Sequence, residues 1–190
     1  MRRKGYILTG IVVLLFAGGW RYQVLNQTYP DPEEYVAGQG EQMDLGVYSF
    51  ELKNWKWEDG RYISQILPDY VIMAEEDGST YPAEKEKVGL AEVEISKHIE
   101  DDSYLDLTNV AFEMGAWHNQ WDNELFEALN GEDCLVLELE KGETCTVIFP
   151  VVMFEFQFNK ADWEKIETRA VNIVLACYPE KYVLQRKKAE

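Results

Sequence analysis

Through the middle and end of the chain, apolar and polar residues alternate with a period of two, and this constrains the fold more than any other feature. Ala91, Val93 and Ile95 fall on one side of a strand, with Glu92, Glu94 and Ser96 on the other; Val110, Phe112, Met114 and Ala116 alternate in the same way. Successive side chains of an extended strand point to opposite faces, so such stretches bury one face and wet the other. Short runs of this kind recur about every ten to fifteen residues between turn signals, the layout of an antiparallel sandwich or barrel.

Leu135, Leu137 and Leu139 alternate with Val136, Glu138 and Glu140, and Lys141-Gly142 then leads into Thr144 to Val152. This spacing predicts a hairpin turning at Lys141-Gly142, with Cys145 opposite Glu138 and Cys134 opposite Phe149. Asn123 to Leu129 and Asp162 to Glu167 read as short helices, with Asp122 and Asn159 or Asp162 as caps. Ile173 to Ala176 is nearly continuous in apolarity, as in a central strand buried on both faces. The expectation is a mainly β sandwich with one or two short helices.

The N-terminus is different in kind. Arg2, Arg3 and Lys4 precede an uncharged run from Tyr6 to Trp20, the layout of an export signal. Fifteen residues fall short of the ~20 that cross a bilayer core, but Tyr22, Val24 and Leu25 can extend the run while Arg21 reaches the interface. Ala17-Gly18-Gly19 could serve as a cleavage site, and no lipobox cysteine is present. An uncleaved anchor is the expected form, and secretion after cleavage is the alternative. The flanking cations would remain in the cytoplasm, placing the rest of the chain outside.

The expected organisation is therefore an anchor or signal over residues 1–25, a stalk over 26–42 and a sandwich ectodomain over 43–190. The stalk NQTYPDPEEYVAGQGEQ is rich in Pro, Gly and acids without a sustained period, and Asn26-Gln27-Thr28 within it is a formal glycosylation sequon.

Charge divides along the same line. Residues 1–21 carry four bases and no acid, which leaves 14 basic against 35 acidic residues in the remainder, a net of −21. Such a domain repels nucleic acid and anionic lipid, so neither is an expected partner of the ectodomain.

Candidate chemistry is sparse. His98 and His118 lie on separate predicted strands with no ligands at metal spacing, and no nucleophile elbow or phosphate loop is present. The acidic runs Asp31 to Glu34, Glu75 to Gly78, Glu100 to Asp102 and Glu132-Asp133 lack the alternating pattern of a calcium loop. No cofactor or metal is expected. With 35 acids, some pair will always lie at glycosidase separation, so no pair is singled out. Three cysteines, Cys134, Cys145 and Cys177, read as small buried hydrophobes; one bridge at most could form, and its pairing would be Cys145 with Cys177.

The aromatic residues are the most suggestive. Trp55, Trp57 and Tyr62 flank Glu58 to Arg61, while Trp117 and Trp121 bracket His118 to Gln120. Together they could form a platform for stacking sugars or gripping a peptide. The competing expectation is core packing, since a two-residue period puts Trp55 and Trp57 on one face, which can be the buried one.

The order of these elements resembles a group of small membrane-anchored extracellular proteins of unknown function from Gram-positive bacteria. The resemblance rests on the basic-apolar N-terminus, EEDGSTYP (Glu75 to Pro82), VEIS (Val93 to Ser96), LELEKGET (Leu137 to Thr144), and a final helix-then-strand with Trp163 and Tyr178-Pro179. It implies an immunoglobulin-like sandwich at the cell envelope and assigns no site. The functional expectation is a non-enzymatic envelope protein that binds a protein or glycan partner. Two other classes stay open: a wall-polymer hydrolase using an unlocated carboxylate pair, and a structural or sensory subunit of a membrane complex.

Overall fold

The computed structural model describes residues 2–29, 32–74, 78–131 and 134–186, with side chains from residue 11 onward. The chain divides into two compact units, Met1–Glu33 and Glu34–Glu190. The first contains one helix, α1 (Arg2–Thr28), on which Leu14, Leu15, Phe16 and Trp20 are all exposed. Among the described residues no helix is long and apolar enough to cross a membrane.

The second unit is mainly β. In chain order it comprises β1 (Glu34–Gly38), β2 (Gln42–Leu45), β3 (Tyr48–Asp59), α2 (Arg61–Ile66), β4 (Glu86–Lys97), β5 (Leu105–Asp106), β6 (Ala111–Met114) and β7 (Trp117–Gln120). There follow α3 (Asn123–Asn130), β8 (Val136–Leu137), β9 (Thr144–Phe154), α4 (Lys160–Trp163), β10 (Val171–Ala176) and β11 (Lys181–Arg186). Five strands pair in the order β1-β11-β10-β6-β7 and four in the order β2-β3-β4-β9, while β5 and β8 form a small ladder of their own. Only β1 against β11 is parallel among these pairings. The result is a β-sandwich with a few short helices.

Alternation builds the core between the sheets. Phe50, Leu52, Ala91, Val93, Ile95 and Phe149 of the four-stranded sheet meet Phe112, Ile173 and Leu184 of the five-stranded one. Each fully buried side chain of this size is worth about 1.5–3 kcal/mol of transfer free energy. Glu92, Glu94 and Ser96 stay half-exposed on the opposite face, as the period requires.

The same outer face is covered at its other end. Val88, Leu90, Val152 and Phe154 form a second core with Ile63 of α2, Tyr81 and Leu125 of α3, and Leu67, Tyr70, Ile72 and Met73 pack partly buried against it. The four-stranded sheet is therefore apolar on both faces near the start of β4.

Helix α3 also closes the edge of that sheet. The Asp122 carboxylate caps the helix by accepting from Leu125 N–H at 2.9 Å, and the Asp122 N–H donates to Pro150 C=O at 3.0 Å. At the helix end, Asn130 Nδ2 donates to Ile148 C=O (2.8 Å) while its Oδ1 accepts from Ile148 N–H (2.7 Å). Farther along β9, Phe154 N–H donates to Gln157 Oε1 at 3.0 Å. These contacts occupy outward-facing backbone groups that an edge strand otherwise leaves open.

Three expectations change. The segment assigned to a stalk contains all of β1 and the first residue of β2, so the sandwich unit starts at Glu34 rather than Met43. Asp31 and the acidic runs Glu75 to Asp77 and Glu132-Asp133 lie outside the described residues.

The hairpin over 135–152 does not form. Gly142, at φ +85°, does turn the chain, but Leu137 pairs with Leu105, while β9 runs antiparallel to β4 over eleven residue pairs from Glu86–Phe154 to Ser96–Thr144. Backbone bonds from Gly142 N–H to Lys97 C=O and from Lys97 N–H to Glu143 C=O start that register. Cys145 therefore lies opposite Ile95, and Phe149 opposite Ala91.

The alternation from Val110 to Ala116 is cut short in the same way. Gly115, at φ +64°, and exposed Ala116 make a two-residue hairpin that sets Met114 opposite Trp117. A positive φ at the first turn position favours glycine, which lacks the Cβ clash.

Candidate functional site

The five aromatic side chains expected to form a platform are divided among different parts of the domain, and none is exposed. Trp121 is buried among Phe126 and Phe149. Trp55, half-buried, meets Phe112 of the opposite sheet edge-on, with ring centroids 6.0 Å apart. Its ring lies so close to Gly89 on the neighbouring strand that a Cβ there would collide with it. Trp57 packs edge-on against Trp55, lies near the Arg186 guanidinium and donates from Nε1 to Glu167 C=O at 3.1 Å. Trp117 donates to Gln157 Oε1 at 3.2 Å and packs beside Phe158. Tyr62 sits half-buried on α2 against the second core. Trp121 is thus in the core, while Trp55, Trp57 and Trp117 are half-buried against it, Trp55 and Trp57 on one sheet and Trp117 on the other.

The cysteines make no bridge. Cys145 belongs to the four-stranded sheet, whereas Cys177 is exposed just beyond β10 in the five-stranded one. Burial raises the Cys145 thiol above its ordinary range, with the Glu143 charge adding to the effect, which makes it a poor nucleophile. His98 and His118 are both exposed, and among the described residues no group of three or more His, Cys, Asp or Glu side chains could hold a metal ion.

One cleft of the domain is acidic. A cleft of about 680 Å³ is lined by Lys97, Glu100 to Ser103, and Glu138 to Lys141. One wall is the loop after β4, and the other is the chain between β8 and the Gly142 turn. Five carboxylates thus face the cleft against two lysines.

One of those lysines builds the wall. Lys97, at 3% exposure, donates to Asp101 C=O (2.8 Å) and Ser103 C=O (2.9 Å), and lies 3.0 Å from the Asp101 carboxylate. Its ammonium also lies 5.5 Å from the Tyr48 ring centroid, and Tyr48 Oη donates to Ser103 C=O. All three ammonium protons have acceptors within the domain, so Lys97 is committed to folding the loop. Burial alone would lower its pKa, but the Asp101 carboxylate and Tyr48 outweigh that and hold it above the ordinary value. Ser103, followed by Lys97, holds Asp101 below the usual carboxylate range by bonding its ionised form. Glu100, Asp102, Glu138 and Glu140 remain as exposed charges on the rim.

Glu86 went unnoticed in the sequence among 35 acids. It is 6% exposed, on the covered outer face of β4 in register with Val88 and Leu90. Burial pushes its pKa up to about 7. The available signal was its position two residues before Val88, on the face those apolar side chains share.

No curated protein matches the chain. Two solved structures are similar to it, each 14% identical: a conserved hypothetical protein from Bacillus anthracis, with 75% of this chain and 91% of that one covered and a TM-score of 0.44, and an uncharacterized beta-sandwich protein from Clostridium difficile 630, with 83% and 97% covered and a TM-score of 0.43. Residues 63–182, from the middle of α2 into β11, match the domain of unknown function DUF5028, and the chain belongs to that family.

Proposed function

We propose that this chain is a membrane-tethered, non-enzymatic envelope protein whose immunoglobulin-like domain binds a basic protein segment in the acidic cleft. The observation that carries the reading is the cleft itself, in which five carboxylates face a cavity of about 680 Å³. Its buried lysine is already spent on the fold. An opening of this size accommodates a few side chains of a partner. Its rim carries charges that steer a cation and lose strength with salt. Glycan stacking has less support, because Trp121 is buried and Trp55, Trp57 and Trp117 are half-buried with no exposed face among them.

The strand order supports the immunoglobulin-like reading. β3-β4-β9 takes the places of strands A, B and E, and β11-β10-β6-β7 those of G, F, C and C′. The tether reading rests on α1, whose 27 residues extend about 40 Å at 1.5 Å each and whose Leu14, Leu15, Phe16 and Trp20 are exposed. In a bilayer those side chains would meet lipid, with Arg2, Arg3 and Lys4 on the cytoplasmic side.

Binding of oligolysine to the full chain in detergent tests the cleft. Replacing Glu100, Glu138 and Glu140 together by Gln is expected to weaken binding about tenfold or more at low salt, and 0.5 M salt is expected to erase the difference. Equal binding by both proteins would sink the cleft reading. Carbonate extraction of cell membranes tests the tether: a chain that stays in the pellet supports it, and one found in the medium without α1 overturns it in favour of secretion.

A further inference from the structure

Among the described residues two charged side chains are buried, Lys97 and Glu86, and they are handled in opposite ways. Lys97 is saturated by acceptors. No described residue gives the Glu86 carboxylate a hydrogen bond or an ion pair, and burial is the cause of its altered acidity. It faces a cavity of about 50 Å³ walled by Gly60, Ser64, Tyr70, Ile72 and Thr80. Gly60 backs onto the carboxylate so tightly that a Cβ there would strike Oε2 and the Ala83 backbone. The cavity has room for one or two waters and no organic ligand.

The charges on the surrounding elements are engaged elsewhere or exposed. At the end of β3 and the start of α2, Asp59 pairs with Arg61; in the turn before β4, Lys85 lies 3.9 Å from Glu155 and Glu84 is exposed; on β4, Lys87 pairs with Glu167 at 2.5 Å. Asp69 is exposed, and Tyr70 donates to the Asp122 carboxylate at 3.0 Å. Tyr81, in the same core, also has a partner. None of these supplies a positive charge to Glu86.

We propose that α2 and residues 67–74 form a cover whose docking on the outer face of the four-stranded sheet is controlled by protonation of Glu86. With the cover closed, the carboxyl is buried and favours its neutral form. With the cover open, water reaches it and it recovers its ordinary acidity near 4.5. Below pH 4.5 the group is neutral in both states and docking has its full strength. As pH rises from there through about 7, the open state gives up its proton first, so docking weakens progressively and is weakest above pH 7. The device is independent of the cleft, which lies at the other end of β4.

Hydrogen exchange of the full chain between pH 5.5 and 8.5 tests it. The reporters are Leu67 N–H, bonded to Ile63 C=O, and Tyr81 N–H, bonded to Met73 C=O; β10 amides are the control. After correction for intrinsic exchange, the opening constant at the reporters is expected to rise roughly thirtyfold across this range, the value for a carboxyl released from about 7 to 4.5. β10 should not change, and Glu86→Gln should abolish the rise. A flat wild-type profile, a rise shared equally by β10, or the same rise in Glu86→Gln would overturn the proposal. If Glu86→Gln fails to fold, the wild-type profile decides: a step confined to the reporters sustains the proposal and its absence overturns it.

Discussion

The inner face of the four-stranded sheet is buried, the outer face is covered only in part, and the two are closed by different material. The inner face meets another sheet, so strand packs on strand and Ala91, Val93 and Ile95 find partners with the same two-residue period. The outer face is closed only near the start of β4, by a helix of six residues, an irregular segment and one side of α3. Each face also holds a polar defect. Between the sheets, the Nε1 groups of Trp55 and Trp121 are buried without a hydrogen-bond partner among the described residues, at about 1–3 kcal/mol each. Beneath the cover lies Glu86. The indole cost is the same at every pH, whereas the carboxyl cost appears only on ionisation. Sheet-on-sheet packing thus gives a constant core, and the cover gives one that responds to its surroundings.

Substitutions can break or sharpen this contrast. The largest effect is expected from Phe149→Ala, which removes a fully buried ring between the sheets and should cost about 4 kcal/mol in urea unfolding, lowering protection in both sheets together. Ile63→Ala, beneath the cover, should cost about 3 kcal/mol, with exchange accelerated over residues 61–74 well before β10; if both regions lose protection equally, the cover is not a separate unit. Asn130→Ala should cost about 2 kcal/mol, because it strips partners from both Ile148 N–H and Ile148 C=O, and the Ile148 amide should lose protection first. Tyr70→Phe removes the bond from the cover to Asp122 and should cost about 1 kcal/mol, read as faster exchange at Leu67 with little change in the unfolding midpoint.

What could be read in the sequence follows the same division. The period of two located Ala91, Val93 and Ile95 on a buried face and put Trp55 and Trp57 together, because strand geometry alone sets which residues share a side. The caps Asp122 and Asn159 were legible because capping is local. Strand partners were not. The Lys141-Gly142 signal marked a true turn, but whether β9 paired with the residues before it or with β4 was a competition between distant segments. The long open edge of β4 won it.

The cleft was hidden for the same reason. Glu100 to Asp102 and Glu138 to Glu140 lie far apart in the chain, and only the Lys97 contacts and the path of residues 135–143 bring them to one cavity. Glu86 was harder still, since the cover that buries it has neither helical nor strand periodicity over residues 67–74.

Asn130 carries a consequence for how these molecules behave in a crowd. Its amide presents a donor and an acceptor to Ile148 as the next strand of a growing sheet would, so the edge of β9 is satisfied at Ile148 and is not an open template there. Pro150, with no N–H to offer, shortens the template again, and Gln157 occupies the Phe154 end. On the Thr144 side of Ile148, the outward-facing positions are Thr144 and Thr146, whose exposed polar side chains offer no apolar surface to hold an incoming strand. Copies of this domain that collide edge to edge therefore meet a seam interrupted by Asn130, Pro150 and Gln157, an arrangement that disfavours a shared sheet through β9.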